Sequence, residues 1–105
     1  MTVIWMPLAK AAFRNTAKYI RKEFGSKVRD SFVQEVLSAS RLIGSNPEMG
    51  KIKPILEELP NKYRSLVVSN INKIVYRILN DRIEISDFWN CRRNPEILSA
   101  QIKKH

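Results

Sequence analysis

The chain has 105 residues, 44% of them apolar and 28% charged, and its 19 Lys and Arg outnumber 10 Asp and Glu to leave a formal net charge of +9. These values fit one globular domain over 1–105 and exclude a fibrous or disordered chain; one Cys and one His exclude an internal disulfide and the usual transition-metal sites, and no apolar run nears the ~18 residues of a membrane span. The excess of cations favours a polyanion or an acidic protein as partner.

Residues 2–6 are β-prone and stop at Pro7, which suits the first turn of a helix. Leu8, Ala12, Phe13, Ala17, Ile20 and Phe24 recur at helical spacing, interleaved with Lys10, Arg14, Lys18, Arg21 and Lys22. Gly25 ends this helix. A second is expected from about Lys27 to Ile43, with Val28, Phe32, Val36, Ala39 and Ile43 as its stripe. The short connection predicts an antiparallel hairpin of helices. Residues 46–61 hold Pro47, Pro54, Pro60 and Gly50 and read as a loop, with one helical turn around Ile55–Glu58. From Lys62 the apolar period becomes two, giving strands over Lys62–Ser69, Lys73–Leu79 and Arg82–Trp89. Asn80-Asp81 suits a two-residue turn, because both residue types tolerate positive φ, and Asn70-Ile71 is a weaker candidate for the other turn. Pro95–Lys104 has the spacing of a short amphipathic C-terminal helix. The expected fold is α+β, ordered β-α-α-β-β-β, with the helix hairpin on one face of a small antiparallel sheet. The opening residues lack the basic and long apolar regions of a secretory signal, so the cytoplasm is the expected location.

The turn at Asn80-Asp81 would pair Ile78 with Ile83, Arg77 with Glu84 and Tyr76 with Ile85. Ile74, Tyr76, Ile78, Ile83 and Ile85 then face the helices, and Val75, Arg77, Glu84, Ser86 and Phe88 face away. A turn at Asn70-Ile71 sets Arg64 beside Arg77 on that open face. Arg77 is expected to pair with Glu84. Arg64 lacks an evident partner, and paired arginines suit a phosphate or carboxylate ligand. After the last strand, Trp89, Arg92 and Arg93 place guanidinium forks beside an aromatic ring, a combination that suits phosphates and unstacked bases. For Trp89, core packing is at least as good a reading, and for Arg92 a bridge to Asp87 or to helix carbonyls. Lys51, Lys53 and Lys62 could border the same mouth. There is no Gly-rich phosphate loop and no Ser-His-Asp set, so no cofactor is expected.

In this order and at these spacings, the opening strand with Trp5, the helix hairpin ending in Asn46-Pro47-x-x-Gly50, Tyr63-Arg64-Ser65-Leu66-Val67-Val68, Asn72-Lys73-Ile74-Val75-Tyr76-Arg77-Ile78 and Trp89-Asn90-Cys91-Arg92-Arg93-Asn94-Pro95 resemble the RelE/ParE superfamily of bacterial type II toxins. The resemblance implies a small acidic antitoxin as partner. It also implies one of two targets: the ribosome, where RelE-like members cut mRNA through attack of the ribose 2′-OH on the adjacent phosphate, or DNA gyrase, which ParE-like members poison without chemistry. Arg64 matches the strand arginine that RelE-like nucleases use on the scissile phosphate, and Arg92 the arginine after the last strand. These two are the candidate catalytic residues, in a metal-independent endoribonuclease. Lys51, Lys53, Lys62, Arg77, Trp89 and Arg93 are the candidates for binding the target. Trp89 and Asn90 stand where a nuclease Tyr or His would be sought. The Arg-x-Asn-Pro ending is similar to the ParE-like branch, while the high charge and Arg64 are similar to the RelE-like one, so ribosome-dependent mRNA cleavage is the leading expectation and gyrase inhibition the alternative.

Overall fold

The computed structural model describes residues 1–52, 63–69 and 72–90, with the side chain of Asn90 excepted. Its elements are β1 (Thr2–Trp5), α1 (Pro7–Phe24), α2 (Ser26–Ser45), a 3₁₀ turn (Pro47–Met49), β2 (Lys51–Ile52), β3 (Tyr63–Val68), β4 (Asn72–Ile78) and β5 (Arg82–Asn90). The expected β-α-α-β-β-β order holds, with a two-residue edge strand, β2, added. The sheet runs β1-β5-β4-β3-β2. It is mixed, because β1 lies parallel to β5 while all other pairs are antiparallel. The expected turn around Ile55–Glu58 and the helix over 95–104 lie outside the described residues.

Local chemistry accounts for the helix hairpin. Met6 is extended (φ −69°, ψ 154°), as a residue before proline prefers, and Pro7 opens α1. Gly25 takes φ 93°, a conformation costly for any side chain, and so allows α2 to start at once on a new axis. Ala9, Ala12, Phe13, Thr16, Ala17 and Ile20 turn toward the sheet and α2. From α2, Phe32, Val36, Ala39 and Ile43 complete the layer. Leu8, Phe24 and Val28, expected in the stripes, sit in the terminal turns of the helices and stay exposed. Thr16 is buried at no polar cost, since its hydroxyl donates to the Ala12 carbonyl at 2.9 Å.

The β4–β5 hairpin pairs Ile78 with Ile83, Arg77 with Glu84 and Tyr76 with Ile85, as the pattern predicts. The reason given for its turn does not hold. Ser69 is the one non-glycine residue with positive φ among those described, so Asn80-Asp81 turn without entering that region.

Two register differences decide which side chains share a face. Between Val75 and Tyr76 the partner on β5 jumps from Asp87 to Ile85, leaving Ser86 as an extra residue. Such a bulge reverses the alternation beyond it. Phe88, expected on the open face, therefore pairs with Ile74 on the helix side and is 3% exposed. On the other side, Val68 pairs with Asn72. The connection is therefore three residues, 69–71, with Ser69 at φ 46°, and not two. Arg64 consequently pairs with Tyr76, and Tyr63 pairs with Arg77.

Candidate functional site

That one-residue shift places Arg64 and Arg77 on opposite faces of the sheet. The expected arginine pair on one surface does not form.

Arg64 points to the helix side, toward the segment leaving α2. Its Nη1 donates to the Gly50 carbonyl at 2.9 Å and to the Glu48 carbonyl at 3.2 Å. Beside it, the Tyr76 ring is fully buried. Its hydroxyl donates to the Pro47 carbonyl at 2.7 Å and accepts from the Gly50 amide at 2.9 Å. The Asn46-Pro47-x-x-Gly50 segment is thus fastened to the middle of the sheet by a guanidinium and a phenol. Burial pushes the Tyr76 hydroxyl above its ordinary range, against the opposing effects of the Gly50 amide and Arg64. It therefore stays protonated through neutral pH, held between two backbone groups. The spacing of Pro47 and Gly50 is legible in the sequence as a motif, but alternation along the strand marks Tyr76, the residue that reads it, only as core.

The outer face carries a different network. Glu84 is 6% exposed. It accepts from Arg77 Nη2 at 2.8 Å and Nε at 3.1 Å through one oxygen, and from Arg82 Nη2 at 3.1 Å and Nε at 3.2 Å through the other. Arg77 also lies over the Tyr63 ring, 5.8 Å from its centroid. The expected Arg77–Glu84 pair is present, and Arg82 doubles it. Trp89, 8% exposed, packs on this face and donates its indole N–H to Asp87 Oδ2 at 2.6 Å. A ring so covered and so bonded offers no open platform for a base. Asp87 also accepts from the Phe88 amide at 2.8 Å. Lys51 is exposed on the edge strand, opposite Ser65. Lys53, Lys62, Arg92 and Arg93 lie outside the described residues, as does the expected bridge from Arg92. Among the described residues no cluster of His, Cys, Asp and Glu could hold a metal ion, and no helix is long and apolar enough to cross a membrane.

The Arg77 hydrogen bond, with Arg82 assisting, holds the Glu84 carboxyl below the usual carboxylate range. A carboxylate with a lowered folded pKa contributes stability that is complete above its unfolded value of about 4.3 and is lost as pH falls through the folded value. Urea midpoints measured from about pH 7 down to about pH 3 should therefore fall less steeply for Glu84→Gln than for the wild type. Equal acid limbs would assign the loss to other carboxylates.

A helix hairpin over one face of a five-stranded sheet, a clamped Asn-Pro-x-x-Gly turn leaving the second helix, and a strongly basic chain fit the RelE/ParE resemblance read from the sequence. The family model described as the ParE toxin of the type II toxin–antitoxin system parDE matches residues 3–95, and the chain belongs to that family. No curated relative matches it in sequence. Among solved structures it is similar to a chain of the chromosomal ParDE toxin–antitoxin system from P. aeruginosa, with a TM-score of 0.68 at 18% identity, covering 84% of this chain and 92% of that one. At that identity the likeness shows the fold. Family membership implies an antitoxin as partner.

Proposed function

We propose that this toxin arrests growth by binding DNA gyrase, without cleaving a bond, and that a small acidic antitoxin silences it. The observation that carries this reading is the position of Arg64. The residue expected to meet a scissile phosphate has its guanidinium bonded to two backbone carbonyls on the helix side. The neighbouring Tyr76 hydroxyl is equally committed. Electrostatic catalysis of phosphoryl transfer needs cationic donors aimed at the oxygens where charge develops, and here one nitrogen of Arg64 and the Tyr76 hydroxyl are taken up by the protein's own backbone. Membership of the ParE family supports the same target.

The test uses purified toxin in two reactions. Negative supercoiling by gyrase should stall in proportion to added toxin, while a cell-free translation reaction proceeds with its message intact. Cutting of the message within the ribosomal A-site codon would overturn the proposal and restore the ribonuclease reading, with Arg92 and its neighbours as the group to mutate.

A further inference from the structure

We propose that the exposed face of α1 is a contact surface for the phosphate backbone of double-stranded DNA. This goes beyond the gyrase reading and does not depend on it. Lys10, Arg14, Lys18 and Lys22 follow one another at steps of four residues, and Arg21 lies within the same strip. All five are exposed. None forms an ion pair or a side-chain hydrogen bond among the described residues. Glu23 is the one acidic residue in α1. The opposite side of the helix is committed to the core through Ala9, Phe13, Thr16 and Ala17, so the cationic strip is necessarily the side that faces solvent.

Cations four apart on a helix repel one another and weaken it. Elsewhere in this molecule, where arginines approach each other, a carboxylate sits between them, as Glu84 does between Arg77 and Arg82. Among the described residues no carboxylate stands between the cations of α1 in this way. Each four-residue step rises about 6 Å and turns about 40°, so the row from Lys10 to Lys22 climbs about 18 Å while winding about 120° around the helix. Over that length a duplex presents about ten phosphates. The exposed residues beside the row are Ala11 and Asn15, with no large apolar side chain among the cations. Protein partners are anchored by aromatic and aliphatic side chains seated in pockets. Phosphate contacts require only well-placed cations. Leu8 and Phe24, 68% and 60% exposed, lie near the two ends of α1 but off the row, each about 160° around the helix from its nearest terminal lysine. The row itself has the chemistry of a backbone-tracking surface, indifferent to base sequence.

The experiment is fluorescence anisotropy of the intact toxin with a short labelled DNA duplex of arbitrary sequence, titrated between about 50 and 200 mM KCl. If the five cations each neutralise one phosphate, log K should fall against log salt with a slope of about −4.5, a loss of about 500-fold over that range. The Lys10→Gln/Lys18→Gln/Lys22→Gln variant should flatten the slope by about 2.7 while its thermal unfolding is retained. A Lys51→Gln/Lys73→Gln variant, altered on the sheet, should keep the wild-type slope. The proposal is overturned if the duplex fails to bind at low salt, or if the α1 variant keeps the full slope. It is also overturned if poly-glutamate binds through these lysines where the duplex does not, which would make the strip a seat for an acidic polypeptide.

Discussion

Phe88→Ala should cost about 3–5 kcal/mol of folding stability, the range for truncating a buried aromatic side chain. The Phe88 ring centroid lies 5.6 Å from Phe13, 6.1 Å from Phe32 and 6.2 Å from Trp5, while Trp5 and Phe13 are 5.2 Å apart. One ring therefore ties together β1, α1, α2 and β5. Its removal opens a cavity at the point where both helices meet the sheet, and each lost aromatic pair adds about 0.5–1.5 kcal/mol beyond the area term. Domains of this size are stable by about 5–15 kcal/mol, so the loss takes a large share of the total. Urea unfolding measures it. Phe88→Leu, which keeps most of the volume, should lose less than half as much and remains measurable if the alanine variant does not fold. Val67→Ala, 56% exposed on the outer face, is the comparison and should stay within about 0.5 kcal/mol of the wild type. A Phe88→Ala loss as small as that of Val67→Ala would mean that the bulge at Ser86 is absent and that Phe88 lies on the open face.

The second large effect is expected at Gly50. Its backbone, at φ −76° and ψ 152°, is one that any residue adopts, so conformational freedom is not what this position requires. Space is. A Cβ placed there would stand 2.7 Å from the Tyr76 hydroxyl oxygen, 2.8 Å from Tyr76 Cε1 and 3.0 Å from the Ser65 carbonyl. To admit it, the turn must lift off the sheet. That movement strains or breaks the Gly50 amide bond to Tyr76, the Tyr76 bond to Pro47 and the Arg64 bond to Gly50. Overpacking costs about 1–3 kcal/mol, and each buried partner left unsatisfied costs a similar amount. Gly50→Ala should therefore lose about 3 kcal/mol or more.

Tyr76→Phe removes the hydroxyl and leaves the Gly50 amide and Pro47 carbonyl unanswered, for about 1–3 kcal/mol. The double variant should lose less than the sum, since the two changes break the same bonds and loss of the hydroxyl oxygen relieves part of the clash. Full additivity would refute the shared clamp. The clamp also has an alkaline signature. Because burial raises the Tyr76 pKa in the fold, its contribution is complete below the ordinary tyrosine value of about 10 and is lost as pH rises beyond it. Tyr76→Phe should lessen that alkaline loss.

Much of the architecture was legible because the signals are local. Pro7, Gly25 and Pro47 punctuate the helices, and the change of apolar period from 3.6 to 2 marks where the sheet begins again. The Arg77–Glu84 pair followed from one tight turn and simple counting. The candidate site was less legible, because its geometry depends on parity. Arg64 changes face if the β3–β4 connection has three residues and not two, and Phe88 changes face if Ser86 is left unpaired. Neither event leaves a strong trace in composition.

By itself the sequence determined the element order, the basic character of the chain and the lysine and arginine row along α1, since helical spacing alone aligns those residues. Only the tertiary structure decided that β1 joins the sheet in parallel beside β5, that Arg64 and Tyr76 hold the Asn46–Gly50 segment, and that Arg64 and Arg77 are separated by the thickness of the sheet. The physical reason is that periodicity assigns a side chain to a face only relative to its own strand. Which face that becomes depends on bulges, loop lengths and close backbone approaches, and these are resolved when distant segments pack.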